Sequence, residues 1–291
     1  MKKETIQKRT SISNDLMHYI YKHIDTDINL DELAETFSIS KFHMHKIFKE
    51  TFGRNIYESI KSIRLQKAAT LLLTNRYSTI SNIALMCGYS SQTSFTRVFK
   101  ERFSMTPKQW RNGGDKEYSE KLLLSSPYAS ISTASFEEIV PDIVKMPNMR
   151  AYYIRHRGYE KNIQITWQKL QAWIFSNDTE EYTLISLYHD NPAVTPLMEC
   201  QHVACLVLEE SLDERDSRLP QLTISKGVFA KFYIEGKRGD QLRFIHWVYH
   251  EWLPNSDYET TTKPPYATYK KHHHLNKDER FEMSFYLPIS F

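Results

Sequence analysis

The chain has 291 residues, of which 41% are hydrophobic and 25% charged. That is ordinary globular composition, with enough length for two domains that each bury a core. No stretch approaches the ~18 uninterrupted apolar residues of a membrane span, so no membrane partner is expected. Met1-Lys2-Lys3-Glu4 leads into polar sequence, unlike the apolar run of a signal peptide. The three cysteines, Cys87, Cys200 and Cys205, are too few and too unevenly placed for a disulfide framework, which makes a reducing cytoplasm the expected compartment. The net charge of +3 hides an asymmetry. Residues 1–114 carry 18 Lys and Arg against 10 Asp and Glu, a net of +8, whereas the remainder carries 20 against 25, a net of −5. A basic segment joined to an acidic one implies that only the first meets a polyanion.

Asn29 is placed to cap a first short helix, with Glu32 three residues on to close a capping box. Leu33, Ala34 and Phe37 give that helix one apolar face, and Ser38-Ile39-Ser40 reads as a polar turn. Ser40 then caps a second helix. In it Met44, Ile47 and Phe48 make an i, i+3, i+4 core stripe, and Phe42, His45, Lys46 and Lys49 form the outward row, with Lys41 at its start. From Ile56 to Leu73 the chain holds no Gly or Pro, which predicts a helix of about 27 Å at ~1.5 Å per residue.

The pattern then returns. A shift of ~51 residues pairs Met44 with Phe95, Ile47 with Val98, Phe48 with Phe99 and Phe52 with Phe103. Ile80, Ile83 and Ala84 form the face of the second unit's first helix, Gly88 supplies a permissive turn, and Ser91 caps the helix that follows. The outward positions here are Gln92, Thr93, Thr96, Arg97 and Lys100.

A short helix with an outward row of hydrogen-bonding and cationic side chains suits the major groove, which admits one helix and displays distinct donor and acceptor patterns. Lys46 and Arg97 suit guanine or phosphate, Gln92 suits adenine, and Thr93 suits a thymine methyl. Phe42 has two readings: it packs on sugar and thymine methyl groups, or it tucks against the preceding helix. The intervening helix is a fitting strut for two recognition helices about 34 Å apart, one DNA turn. A single chain then reads two successive grooves without dimerising.

Residues 8–111 resemble the DNA-binding domain of the AraC/XylS family of bacterial regulators. The resemblance is carried by Leu33-Ala34, Ser40, Phe48-Lys49, Gly53, Arg64-Leu65, Ala68, Leu71-Leu72, Ile80, Ile83-Ala84, Gly88-Tyr89, Ser94-Phe95, Arg97, Phe99, Pro107 and Arg111. Ser104 departs from it, standing where the second unit usually has glycine. The resemblance implies base contacts from Phe42, His45, Lys46, Gln92, Thr93 and Arg97, and a degenerate, asymmetric DNA site.

Asn112-Gly113-Gly114-Asp115 is the strongest local break. It divides the chain into a DNA-binding domain at 8–112, a linker at 113–129 with a short helix over Lys116–Leu124, and a second domain at 130–291. The second domain repeats weakly. A shift of 79 pairs Ala151 with Ala230, Tyr153 with Phe232 and Trp173 with Trp252. Helices are predicted over Asn162–Phe175 and Gly239–Trp252, and further strands over Thr183–His189, His202–Leu208 and Met283–Ile289. The expected architecture is therefore multi-domain: an all-α tandem helix-turn-helix domain, then an α+β domain of two β-α-β-β halves with a pseudo-twofold cleft.

This half is similar to the gyrase-inhibitor-like effector-binding domain of Rob-type regulators. The similarity rests on His156-Arg157-Gly158, Trp167 with Trp173, Tyr188-His189-Asp190-Asn191-Pro192, Trp252 to Ser256, and Phe285 to Ile289. It implies binding of amphipathic, often cationic or aromatic, small molecules. Tyr153, Trp167, Tyr188, Phe232, Trp247, Tyr266 and Tyr286 are the aromatic candidates for that site, suited to stacking and cation–π contacts. Ala267 stands where the family commonly places a ligand-facing glutamate, which leaves Glu235 or Glu282 as substitutes and neutral or anionic ligands open. His272-His273-His274, on one extended strand, would point to alternate faces, so no metal site and no cofactor is expected. The function expected is a ligand-modulated transcription regulator whose partners are double-stranded DNA, RNA polymerase and a small-molecule effector. No enzyme activity is expected; the rival is a second domain that hydrolyses small electrophiles through Glu235, Glu282 or Tyr286, or one that acts without ligand by sequestration or polymerase contact.

Overall fold

The computed structural model describes residues 3–159, 162–209 and 219–290. The chain divides into two compact units, one of Met1–Ala69 with Ser78–Pro107 and the other of Thr70–Tyr77 with Lys108–Phe291. The cut at 107/108 lies a few residues before the glycine break, and the helix of the expected linker belongs to the second unit.

The first unit is helical. α1 (Lys3–Lys22), α2 (Leu30–Thr36) and α3 (Lys41–Phe52) precede the long α4 (Ile56–Thr74), and α5 (Ile80–Met86) and α6 (Gln92–Phe103) repeat the α2–α3 arrangement. The caps sit where polar residues precede each apolar stripe. Asn29 accepts from the Asp31 amide, Ser40 from His43, Thr79 from Asn82 and Ser91 from Ser94. Glu32 does not close a capping box; its carboxylate accepts the Asn29 side-chain amide at 2.8 Å instead. Leu16, Ile20, Leu33, Met44, Phe48 and Ile60 form one core, and Phe95, Phe99 and Phe103 pack ring to ring in the second repeat.

From the cut, a short α7 (Pro107–Gln109) runs through Trp110–Gly114, where Gly113 takes φ 107°, into α8 (Asp115–Ser125) of the second unit. The rest is a single antiparallel sheet flanked by α9 (Ile163–Ser176) and α10 (Asp240–Trp247). Its strands are β1 (Asp142–Met146), β2 (Met149–Arg157), β3 (Tyr182–Tyr188), β4 (Gln201–Leu208), β5 (Gln221–Ile224), β6 (Gly227–Lys237), β7 (Glu259–Thr260), β8 (Tyr266–Lys271) and β9 (Arg280–Ser290). The order β1-β6-β9-β8-β3-β4-β2-β5 makes the symmetry plain. β2-α9-β3-β4 and β6-α10-β8-β9 are the two halves, joined where β3 pairs with β8.

Strand alternation gives the sheet two differently buried faces. Tyr152, Ala204 and Leu206 pack under α9, while Phe232, Phe285 and Leu287 pack under α10. The opposite face closes on its own core of Tyr153, Val203, Phe229, Tyr266 and Tyr286. The repeat register of 79 is therefore off by one. Tyr153 and Phe232 point to opposite faces, and an even shift is needed to make the halves equivalent, because a one-residue slip turns every side chain over.

Candidate functional site

Two surfaces carry the chemistry. On α3 the side chains of Met44, Ile47 and Phe48 are buried, which turns Phe42, Lys46 and Lys49 outward. Phe42 is 80% exposed, so the reading in which it tucks against α2 does not hold. His45 is half-buried and stacks on the exposed Tyr57 ring at 5.8 Å. Lys41 bridges to Asp31 at 2.9 Å. On α6 the burial of Phe95, Val98 and Phe99 likewise exposes Gln92, Thr93, Arg97 and Lys100, with Thr96 half-covered. Arg97 pairs with Glu101 at 2.9 Å, and Glu101 also takes Lys61 at 3.3 Å. The Gln92 side-chain oxygen accepts the Ser81 hydroxyl. These contacts hold the outward side chains locally; being exposed, they cost little to exchange for a polyanion.

Arg64 braces the first unit. Its guanidinium donates to the carbonyls of Ile24 at 3.2 Å and Thr26 at 2.6 Å, and it lies against Gly88, which turns at φ 72°. Tyr57 was not foreseen at this surface; its place at the start of α4 gave no outward-row signal.

The second surface is a cleft over the β3–β8 seam that opens to solvent; the space between its walls, counted out into the solvent at its mouth, is about 710 Å³. Trp167 and Tyr188, both expected there, line it. The other seven expected ligand residues do not. Tyr153, Tyr266 and Tyr286 are buried in the core of the far face, where Tyr266 and Tyr286 stack at 4.5 Å. Phe232 is buried under α10, and Trp247 packs half-buried against the same core. Glu235 and Glu282 sit opposite each other on β6 and β9 in the alternation that faces away from the helices, so neither replaces the glutamate that Ala267 lacks.

What completes the cleft is Tyr159, Ser186, His202, Arg238, Gln241, Tyr269 and the turn His272–His274. The three histidines lie in a turn just after β8 and not along an extended strand, so all of them gather at the cleft. Gln241 on α10 donates to the hydroxyls of both Tyr188 and Tyr269, and Tyr269 also meets Ser186 at 3.0 Å. The His272 ring lies 4.0 Å from Trp167. Burial keeps these imidazoles neutral: it pushes His202 down to about 3 and His274 to about 4, and His272 and His273 lie well below the ordinary histidine value. Among the described residues, no group of three or more His, Cys, Asp or Glu side chains is placed to share a metal ion. No helix among them is long and apolar enough to cross a membrane.

Comparison with known proteins follows the same division. Residues 140–290 match the family model described as the GyrI-like small molecule binding domain, and residues 33–113 match that of a helix-turn-helix domain. The xylose operon regulatory protein of Escherichia coli is 38% identical over 96 residues, which are 33% of this chain and 24% of that protein. The transcriptional regulator Rob of Salmonella typhimurium is 37% identical over 108 residues, 37% of each chain. The probable transcription factor PqrA of Proteus vulgaris is 36% identical over 106 residues, 36% of this chain and 86% of PqrA. This chain thus spans about a quarter of the first of these relatives, about a third of Rob and most of PqrA.

Proposed function

The chain belongs to the AraC-type helix-turn-helix regulators that carry a GyrI-like small-molecule-binding domain, and we propose that it controls transcription by reading two successive major grooves with α3 and α6 under the influence of a ligand held in the cleft. One observation carries the DNA reading: two capped helices, equivalent in the repeat, each turn a polar and cationic row outward, in a segment of net charge +8. Lys46 and Arg97 are the base-edge contacts; Lys41, Lys49 and Lys100 hold phosphates. Phe42, His45, Gln92, Thr93 and Thr96 complete the two rows. A monomer suffices, because both reading helices lie on one chain. The second domain binds its effector without turning it over, and RNA polymerase is the partner through which the bound chain acts.

Binding of labelled duplexes across a salt series tests this reading. Affinity should fall linearly with log salt as phosphate contacts release counterions. Inserting about half a helical turn, ~5 base pairs, between the two half-sites should abolish specific binding. Salt-independent binding, equal on every duplex, would sink it.

A further inference from the structure

The cleft has a charge character that bears on which molecules it takes. Among the described residues that line it there is no Asp or Glu; the one permanently charged side chain is Arg238. Its guanidinium lies 3.9 Å over the Tyr128 ring, with Glu279 3.9 Å away and outside the cleft lining. That leaves a planar cation fixed at the cleft wall by stacking.

The imidazoles add unsatisfied donors. His272 Nδ1 accepts the His274 amide, so the ring proton of neutral His272 sits on Nε2, and this buried atom has no partner. Both ring nitrogens of neutral His202, one an N–H donor and the other an acceptor, are buried and unpartnered, as is His273 Nδ1. A buried donor without an acceptor is unfavourable, and an acceptor on a ligand that reaches it would relieve that cost. The rest of the wall is flat and aromatic: Tyr159 lies parallel to Tyr188, and Trp167 meets Tyr269 edge to face.

We propose that the cleft takes a flat aromatic molecule with an anionic head group, an aromatic carboxylate, and discriminates against aromatic cations. The carboxylate meets the Arg238 fork and the unpartnered imidazole N–H groups, and the ring slots between the tyrosines and Trp167. A cation of the same shape would lose its hydration beside Arg238 with no carboxylate among the described lining residues to replace it. The inference rests on reading the cleft as the effector site.

The test uses the full chain and three bicyclic probes of equal size: 2-naphthoate, 2-naphthamide and N-methylquinolinium, titrated calorimetrically. 2-Naphthoate should bind roughly tenfold or more tighter than the amide, the factor expected of one charge-assisted contact, and the quinolinium weakest of all. Arg238→Gln should erase the preference, bringing the carboxylate's affinity down to that of the amide in the same variant, while Arg238→Lys, which keeps the charge, should retain part of it. Thermal melting of each variant checks that the fold survives, and the Lys variant keeps the comparison decisive if the Gln variant does not fold. Quinolinium binding as tightly as 2-naphthoate, or a carboxylate preference that survives Arg238→Gln, overturns the ligand class and leaves the cleft as effector site standing. If none of the three binds, or if Trp167→Ala changes the affinity of none that do, the cleft reading itself fails and takes this inference with it.

Discussion

Gly53 and Ser104 close the two recognition helices in the same left-handed conformation, at φ 72° and 59°, although only one of them is a glycine. Each amide donates back to the carbonyl four residues earlier, Gly53 to Lys49 and Ser104 to Lys100, so the geometry is imposed by the helix end and not by the residue. An L side chain pays about 1–2 kcal/mol to stand there. Ser104→Gly relieves that strain but frees the unfolded chain, which takes back about 0.5–1 kcal/mol. The variant should therefore be more stable by about 0.5–1 kcal/mol, seen as a higher urea midpoint with an unchanged slope. A lower midpoint would mean that the serine hydroxyl contributes more than the conformation costs.

Gly88 answers differently. A Cβ added there would meet the Arg64 guanidinium at 2.7 Å, on a backbone already at φ 72°. The arginine is not free to move, because it holds the carbonyls of Ile24 and Thr26. Gly88→Ala should cost about 2–3 kcal/mol, from the left-handed backbone together with weakened charged hydrogen bonds. Arg64→Ala should cost a similar amount, and the double variant less than the two combined, because both act on one contact. Full additivity in urea unfolding would separate the two residues.

The contrast between the halves of the chain is one of contact range. In the first unit every cap and stripe is local: Ser40 speaks for His43, and Met44 for Ile47 and Phe48, so periods and caps were readable. Thr79, the cap of α5, is an ordinary capping threonine that the repeat alignment passed over. In the second unit the pattern named both helices and the main strands, but β8, Tyr266–Lys271, preceded by two prolines and ending in two lysines, shows no clean alternation. The cleft could not be read at all from spacing. It joins Tyr159 beyond β2, His202 on β4, Gln241 on α10 and His272 in the turn after β8, four separate elements whose meeting is set by the sheet order and not by any local period. Aromatic composition alone selected residues that are mostly core.

Lys46 and Arg97 occupy the equivalent row of α3 and α6, yet their resting contacts differ. Arg97 is tied to Glu101, so reaching DNA means giving up an exposed ion pair worth at most about 1 kcal/mol. Lys46→Ala and Arg97→Ala should each lower affinity for the preferred site by about 1–3 kcal/mol and relax selection at one position. Lys49→Ala should weaken all sequences alike and reduce the salt slope by about 1. Selected-site sequencing beside salt-dependent anisotropy distinguishes the two. An unchanged profile for the Arg97 variant would remove it from the reading set.

Acid stability follows from the buried imidazoles. His202, His246 and His274 titrate at about 3, 4 and 4 in the fold, against 6.5 when exposed, and burial is the main cause for each. The unfolded chain therefore binds more protons than the fold below pH 6.5. The contribution of these groups to stability is complete above about pH 7 and declines as pH falls through 6.5 toward the depressed values. Each imidazole contributes up to about 1.4 kcal/mol per pH unit in that window, so three give at most ~4 kcal/mol per unit. The urea midpoint of the full chain should drop steeply between pH 6.5 and 5 and stay nearly flat from 7 to 8. His274→Gln should flatten the acid limb by about one proton, since it removes one of the groups that must charge. A midpoint that rises on acidification would show that these rings are protonated in the fold, and the cleft would then carry far more positive charge than neutral imidazoles allow.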